Sequence, residues 1–412
     1  MTALPDFAPV RYLDRTTPPH ITTLVLMTAT ASIATNLFLP SLPTMAEEFG
    51  TSYAIIQLTV TGYLALTGFI QLAIGPVSDR VGRRPVMVAT LAIFVLASIG
   101  AAHATSLTAF LAFRAVQASS VAGFVISRAS IRDMVGREQA ASMIGYVTMG
   151  MALAPMIAPT VGGALGDAFG WRSNFHALAL AGVVTLLIVW FDQGETNRLK
   201  SGSFRDQARA YPFLLRSRRF WGYALTMMFA AGTFFAYLGG APYVGSVVYG
   251  LSATEVGLYL AITPMGYATG NGLSGRFAER VGLYRMMTTG ALITLCVMSM
   301  TLVTAWAGVE HPLGFFAFTF AIGLGNGIIL PSANAGMLDV RPDLAGSAAG
   351  LGGALMTFGG AALSGVAAFT LTETSGAYPL IFCILGSSAL CLACVLYTIR
   401  AEKRLKTAAV PA

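Results

Sequence analysis

Charge is scarce in this chain: only 10% of its 412 residues are Asp, Glu, Lys or Arg, against 55% hydrophobic ones, and mean hydropathy is +0.70. Soluble globular proteins carry about a quarter charged residues, so that class is excluded and a bilayer is the expected solvent. Histidine and cysteine are sparse too, four of each. Cys296, Cys383, Cys391 and Cys394 all fall in apolar runs, and the Cys391/Cys394 pair has no neighbouring ligand residues. We read them as packing or lipid-facing thiols, which argues against a metal or redox centre. P-loop, GxSxG, HExxH and dinucleotide-binding patterns are missing from any fitting context, and no loop can hold a soluble domain. An enzyme, an ATP-driven pump and a membrane sensor with a soluble signalling domain are all disfavoured. No cofactor is expected; energy for uphill movement would come from an ion gradient or a counter-substrate.

Long apolar windows are what the chain has in quantity. Crossing a hydrocarbon core of about 30 Å takes roughly 20 apolar residues in a helix, and twelve such windows can be placed between Ile21 and Ile399. Of the 25 basic residues, 23 fall in the tails and in alternate loops, with Arg172 alone on the other side and Arg114 in mid-span. By the positive-inside rule both termini are cytoplasmic, and the basic balance reflects topology, not nucleic-acid binding. No removable signal peptide is read before the first span.

The chain also repeats itself. Gly75, Asp79, Arg80, Val81 and Gly82 in GPVSDRVGRR recur 200 positions later as Gly275, Glu279, Arg280, Val281 and Gly282 in GRFAERVGLY. Each copy is a short charged loop between apolar segments, so the chain divides into two related halves, an organisation that points to a transporter. The expected fold is all-α integral membrane, twelve transmembrane helices in two pseudo-symmetric six-helix bundles. Its parts are a cytoplasmic tail (1–20), an N-terminal bundle (21–192), a basic linker (193–219), a C-terminal bundle (220–399) and a second tail (400–412). In the first loop, Gly75 would let two helices approach closely. Asp79 would accept hydrogen bonds at a neighbouring helix end, and Arg80, Arg83 and Arg84 would hold the loop at the interface, making a latch at the mouth of the bundles.

GPVSDRVGRRP closely resembles the loop signature of the major facilitator superfamily. LAFRAVQASSVAG in span 4 is similar to that family's mid-membrane Arg and Gln motif, matching Arg114 and Gln117, with Ala118 where the family usually has Gly. GMALAPMIAPTVGG in span 5 resembles the antiporter motif of drug exporters. NLFLPSLPTMAEEFG and GWRSNF resemble the bicyclomycin and chloramphenicol resistance (Bcr/CflA) branch of twelve-span drug:proton antiporters. The likeness covers both halves and is most specific over the first 200 residues. It implies two bundles rocking around a central cavity, with drug export as the usual activity.

The residues support separate readings. Gly150, Ala154, Ala158 and Gly162, with Gly163 following, make a small-residue stripe on span 5, where Pro155 and Pro159 remove backbone donors and bend the helix. Its expected partner is a span of the other half; Gly346, Gly350 and Ala354 give span 11 a corresponding stripe. Arg114 should face a protein-lined or wet cavity and have a partner, because a guanidinium in mid-bilayer costs several kcal/mol. All 18 acids, however, lie in loops, tails or span ends. Where the resembled branch usually has an acid at the end of span 1, this chain has Asn36, which cannot carry a proton. Coupling would then be indirect, through an acid such as Glu255 or Asp192, or absent.

Thr28, Ser32 and Asn36 form a polar stripe on span 1. By the resemblance, spans 1, 4, 7 and 10 and their neighbours line the cavity. Candidates there are Phe234, Phe235 and Tyr237 on span 7, Tyr259, Tyr267 and Asn271 on span 8, and Asn326 on span 10. Aromatic walls with a few amides suit loose recognition of drug-sized apolar molecules. The expected activity is multidrug efflux by a monomer across the bacterial inner membrane, driven by a proton gradient, with small-molecule drugs or metabolites and membrane lipid as its partners. The alternative is an exporter of an anionic or neutral metabolite that uses no span 1 acid.

Overall fold

A computed structural model describes residues 9–197, 211–308, 311–341, 344–372 and 374–408. All regular structure among them is helical. The first half holds α1 (Ile21–Glu48), α2 (Tyr53–Val81), α3 (Arg83–Ala102), α4 (Leu107–Met134), α5 (Arg137–Phe169) and α6 (Arg172–Asp192). The second holds α7 (Arg218–Val248), α8 (Ala253–Leu260 continuing as Ile262–Val281), α9 (Leu283–Trp306), α10 (Leu313–Asp339), α11 (Ala345–Thr370) and α12 (Tyr378–Ala408). Ten of these are long and apolar enough to cross a membrane among the described residues. α5 and α8 pack on each other across the halves.

Helix pairing repeats with a period of six: α1–α5 matches α7–α11, α2–α4 matches α8–α10, and α3–α6 matches α9–α12. Between the halves, α5 packs on α8 and α2 on α11. Span 5 therefore finds its partner in span 8, while α11 packs on α2 with Gly346 and Gly350 of its stripe turned to the space between the halves. The repeated loops owe part of their likeness to one turn: Gly82 (φ +117°) and Gly282 (φ +84°) end α2 and α8 in the left-handed region, and the next helix begins at the following residue. A residue with a side chain is strained there.

Several spans are locally broken. α1 stops at Asn36 and resumes at Leu42 through a 3₁₀ turn, where Pro40 and Pro43 remove backbone donors. α4 has a 3₁₀ turn at Ala118–Val121, and α7 ends in a π turn at Val244–Val248. Such departures from α geometry cluster at functional sites. α5 runs as one helix through both prolines.

Some boundaries differ from the sequence reading. The segment assigned as the second tail is helical through Ala408, because buried Glu402 pairs with Arg219 at 2.6 Å and extends the core of the second half. Residues 13–20 of the first tail are tied down, with Asp192 accepting the backbone N–H groups of Leu13 (2.7 Å) and His20 (2.8 Å). Of the linker, residues 198–210 lie outside the described residues, and 211–215 are helical.

Candidate functional site

Between the halves lies a cavity of about 870 Å³. Its inner end is formed by Ser32, Asn36 and Leu238; its walls carry Tyr63, Phe124, Phe234, Phe235, Tyr267 and Asn326; its mouth, on the face bearing the basic loops, carries Asp79, Arg83, Arg128, Arg132 and Asp133. The volume falls in the range of drug-sized sites, and the aromatic walls offer contact area without directional demands. Two amides mark the deep end. Asn36 donates to the Ser32 carbonyl (2.7 Å), which leaves its Oδ1 buried without a hydrogen-bond partner; Asn326 donates to Thr233 Oγ1 (3.3 Å).

Arg114 does not line this cavity. It sits one layer behind the wall, 1% exposed, with Phe38 and Tyr63 rings 4.4 and 4.5 Å from its guanidinium carbon. Its partner is not a carboxylate. Nη1 donates to Gln117 Oε1 (2.6 Å) and to the Ala34 carbonyl (3.3 Å), while Nε and Nη2 both donate to the Thr59 carbonyl (3.3 and 3.2 Å). Ala34 is in the last turn of the helix that breaks at Asn36, where carbonyls lose their intrahelical donors. The break in α1 and the arginine in α4 thus complete each other. Gln117 passes the chain on to Ser98 Oγ (2.6 Å), and Tyr63 Oη meets Ser120 Oγ in the 3₁₀ turn (2.8 Å). Ring faces and carbonyl dipoles stabilise the charge where no anion is present. Arg114 and Gln117 therefore hold α1, α2, α3 and α4 in register and support Tyr63 at the wall. The expectation that Arg114 faces the cavity is corrected.

On the face opposite the mouth the halves are clamped. Gly163 and Gly257 let α5 and α8 touch backbone to backbone; a methyl group on Gly163 would run into the Ala253 carbonyl, and one on Gly257 into the Pro159 carbonyl. Thr160 Oγ1 donates to the Gly257 carbonyl (3.1 Å). Asp167, at the end of α5, caps the start of α8 across the interface. It accepts from the backbone N–H groups of Ala253 (3.3 Å) and Thr254 (2.8 Å) and from Thr254 Oγ1 (2.5 Å). On the α2–α11 side, Tyr53 Oη donates to the Gly239 carbonyl (2.8 Å) and Gln57 to Ser364 Oγ (3.4 Å). The GWRSNF segment fixes the end of α1 beside this clamp, with Trp171 Nε1 donating to Glu48 (2.5 Å) and Arg172 pairing with the same carboxylate.

At the mouth, Arg83 bridges Asp79 (2.5 Å) and Asp133 (3.1 Å) and donates to Ser78 Oγ (2.6 Å). Glu195 accepts the backbone N–H groups of Arg83 and Arg84 (2.9 and 3.2 Å), capping α3. These contacts of Arg83, Arg84 and Glu195 all stay on the first-half side of the mouth, and none of them bridges to the second half in this conformation. Gly75 is in the cavity wall with open space where a side chain would project, so it mediates no close helix approach here. In the second copy, Glu279 makes no ion pair among the described residues.

Other expected residues separate in the same way. Ser32, Asn36, Phe234, Phe235, Tyr267, Asn326 and Pro155 line the cavity. Thr28 is buried against α5, reaching the Val147 carbonyl (3.3 Å); Tyr237 is fully buried, its Oη 3.4 Å from the Tyr259 carbonyl; Tyr259 stacks on Phe316 at 4.8 Å; Asn271 bonds back to the Tyr267 carbonyl (3.0 Å). None of these four is in the wall, because each points along the packing face of its helix. Ala154, Ala158 and Gly162 are buried in the α5 stripe, and a side chain at Gly162 would meet the Leu37 carbonyl of α1; the surroundings of Gly150 lie outside the described residues. Asp192 and Glu255 are structural, the first holding the N-terminal segment and the second completing a capping box with Ser252 at the start of α8. Sequence reasoning missed Asp167, Arg128 and Arg132 as site residues. The last two stand four apart, a spacing that does signal one shared helix face.

A sequence model of the Major Facilitator Superfamily matches residues 24–364 and, in a second match, 242–411. The chain belongs to that family and is a multi-pass membrane transporter, not an enzyme. Among curated relatives it is 30% identical to the uncharacterized MFS-type transporter YdgK of Bacillus subtilis, over 86% of this chain and 90% of the relative. It is 29% identical to the chloramphenicol resistance protein of Pseudomonas aeruginosa (89% and 87% covered) and 27% identical to multidrug resistance protein D of Escherichia coli (88% and 92% covered). These relatives agree with the branch resemblance drawn from the motifs. A crystal structure of a D-xylose-proton symporter shares the fold, with a TM-score of 0.74 at 14% identity over 92% of this chain and 96% of the other.

Proposed function

We propose that this protein exports drug-sized small molecules across the bacterial inner membrane by alternating access, in exchange for protons. The observation that carries this reading is the central cavity of about 870 Å³, closed by the α5–α8 clamp on one face and open on the face of the basic loops. With both termini cytoplasmic, that opening faces the cytoplasm, the state in which an exporter loads. The names of the chloramphenicol and multidrug resistance relatives support a drug as cargo.

Asp79 and Asp133 are the only carboxylates in the cavity wall among the described residues, so a proton exchanged for substrate would be carried there and not at Asn36. Protonating either weakens its bridge to Arg83, which would free the mouth to close. Expression in an efflux-deficient host, with a resistance panel including chloramphenicol, tests the reading: wild type should raise resistance and Arg114→Ala should abolish the gain. No gain for any compound in the panel would refute it. A second reading, export of an anionic or neutral metabolite without proton exchange, is favoured by one observation: among the described residues the deep end of the cavity holds the amide of Asn36 and no carboxylate.

A further inference from the structure

We propose that Arg128 and Arg132 form a receiving site for the acidic group of an amphipathic organic anion, with the aromatic walls holding its apolar part. This deepens the export reading, since it rests on taking the cavity as the substrate's path. Both arginines project from one face of α4 into the cavity. The two carboxylates in the described wall are already engaged by Arg83, at 2.5 and 3.1 Å. Among the described residues Arg132 donates only to the carbonyl of Arg128 (3.3 Å), and the Arg128 guanidinium has no hydrogen bond or ion pair.

Two guanidiniums on one wall, with Phe124 one turn along the same helix face and Tyr267 in the wall from the second half, repel each other and attract an anion more strongly than in open water. A planar carboxylate matches the guanidinium fork. Arg114, the arginine that the sequence singles out, cannot serve, because four of its five N–H donors are engaged and its side chain is buried. A neutral molecule gains nothing from the pair, and a cation is repelled.

The test uses one scaffold in three charge states: 1-naphthoate, 1-naphthamide and 1-naphthylmethylammonium. Binding to the full chain in phosphatidylcholine nanodiscs, which carry no anionic headgroup, is measured by equilibrium dialysis. Wild type should bind naphthoate about tenfold more tightly than naphthamide, and the ammonium most weakly. Arg128→Gln should lower the naphthoate-to-naphthamide ratio about tenfold, Arg128→Lys should restore most of it, and added salt should lower it in wild type and Arg128→Lys far more than in Arg128→Gln. Because the ratio is taken within one preparation, partial misfolding cancels. A ratio near one in wild type, or a ratio unmoved by both Arg128→Gln and Arg132→Gln, would overturn the proposal. Chloramphenicol efflux by the wild type is scored in parallel. If it occurs while naphthoate is not preferred, only this inference fails; if naphthoate is not preferred and chloramphenicol is not exported, the export reading fails as well.

Discussion

Removing the Asp167 carboxylate should open the clamp between α5 and α8. Asp167→Ala deletes three hydrogen bonds to the first residues of α8 and the favourable placement of a negative charge at that helix N-terminus. Bonds to an exposed carboxylate are worth only about 0.5 kcal/mol each, which sums to about 1.5 kcal/mol for the three. A difference of 1.4 kcal/mol is a factor of ten in an equilibrium constant, so the ratio of states closed and open on this face should fall about tenfold. Spin labels at Phe169→Cys and Leu258→Cys, both exposed near the clamp, would report it by pulsed electron resonance in a background without the four native cysteines. The variant should show a growing long-distance population, and Asp167→Asn, which keeps an acceptor but loses the charge, an intermediate one. An unchanged distance distribution in Asp167→Ala would refute the reasoning, because the clamp would then depend on the glycine contacts alone.

Gly163→Val should act in the opposite sense to a clamp, wedging α5 from α8 and abolishing export while the protein remains folded; labelling of the cavity from the face opposite the mouth would rise, and unchanged export would contradict the close contact. Arg114→Gln should lower thermal stability by about 3 kcal/mol or more, since it strands the carbonyls of Ala34 and Thr59 and the Gln117 side chain in a buried site; a melting temperature equal to wild type would show that the network is dispensable. Asp192→Ala should release the N-terminal segment, read as faster proteolysis between Val10 and His20 with little change in the rest of the chain. Asn36→Asp should introduce a titratable group at the deep end of the cavity and make export depend more steeply on pH; an identical pH profile would mean that position 36 plays no part in coupling.

The halves, the helix count and the basic face were legible because each rests on a periodic or one-sided pattern that survives without tertiary context. Apolar windows of one length, arginines in alternate loops, and a glycine repeated where a left-handed turn is needed all carry their meaning locally. The cavity wall was less legible. Phe234 and Phe235 line it and Tyr237 does not, although all three belong to one aromatic cluster, because helix rotation decides and a helix apolar all round gives no rotation signal. Arg114 shows the same limit in another form. Its cost in the membrane was readable, but its partners are backbone carbonyls exposed by a break in α1, and carbonyls leave no trace in residue identities. Asp167 looked like one more loop acid because its partners are backbone N–H groups 86 and 87 residues away.

The central claim is that a drug-sized molecule enters this cavity from the cytoplasmic side and leaves on the other. Uptake of radiolabelled chloramphenicol by inverted inner-membrane vesicles measures it most directly. Accumulation above vector-only vesicles, collapsed by an uncoupler and lost in Gly163→Val, is the expected result; accumulation no greater than in vector-only vesicles would rule out export through this cavity.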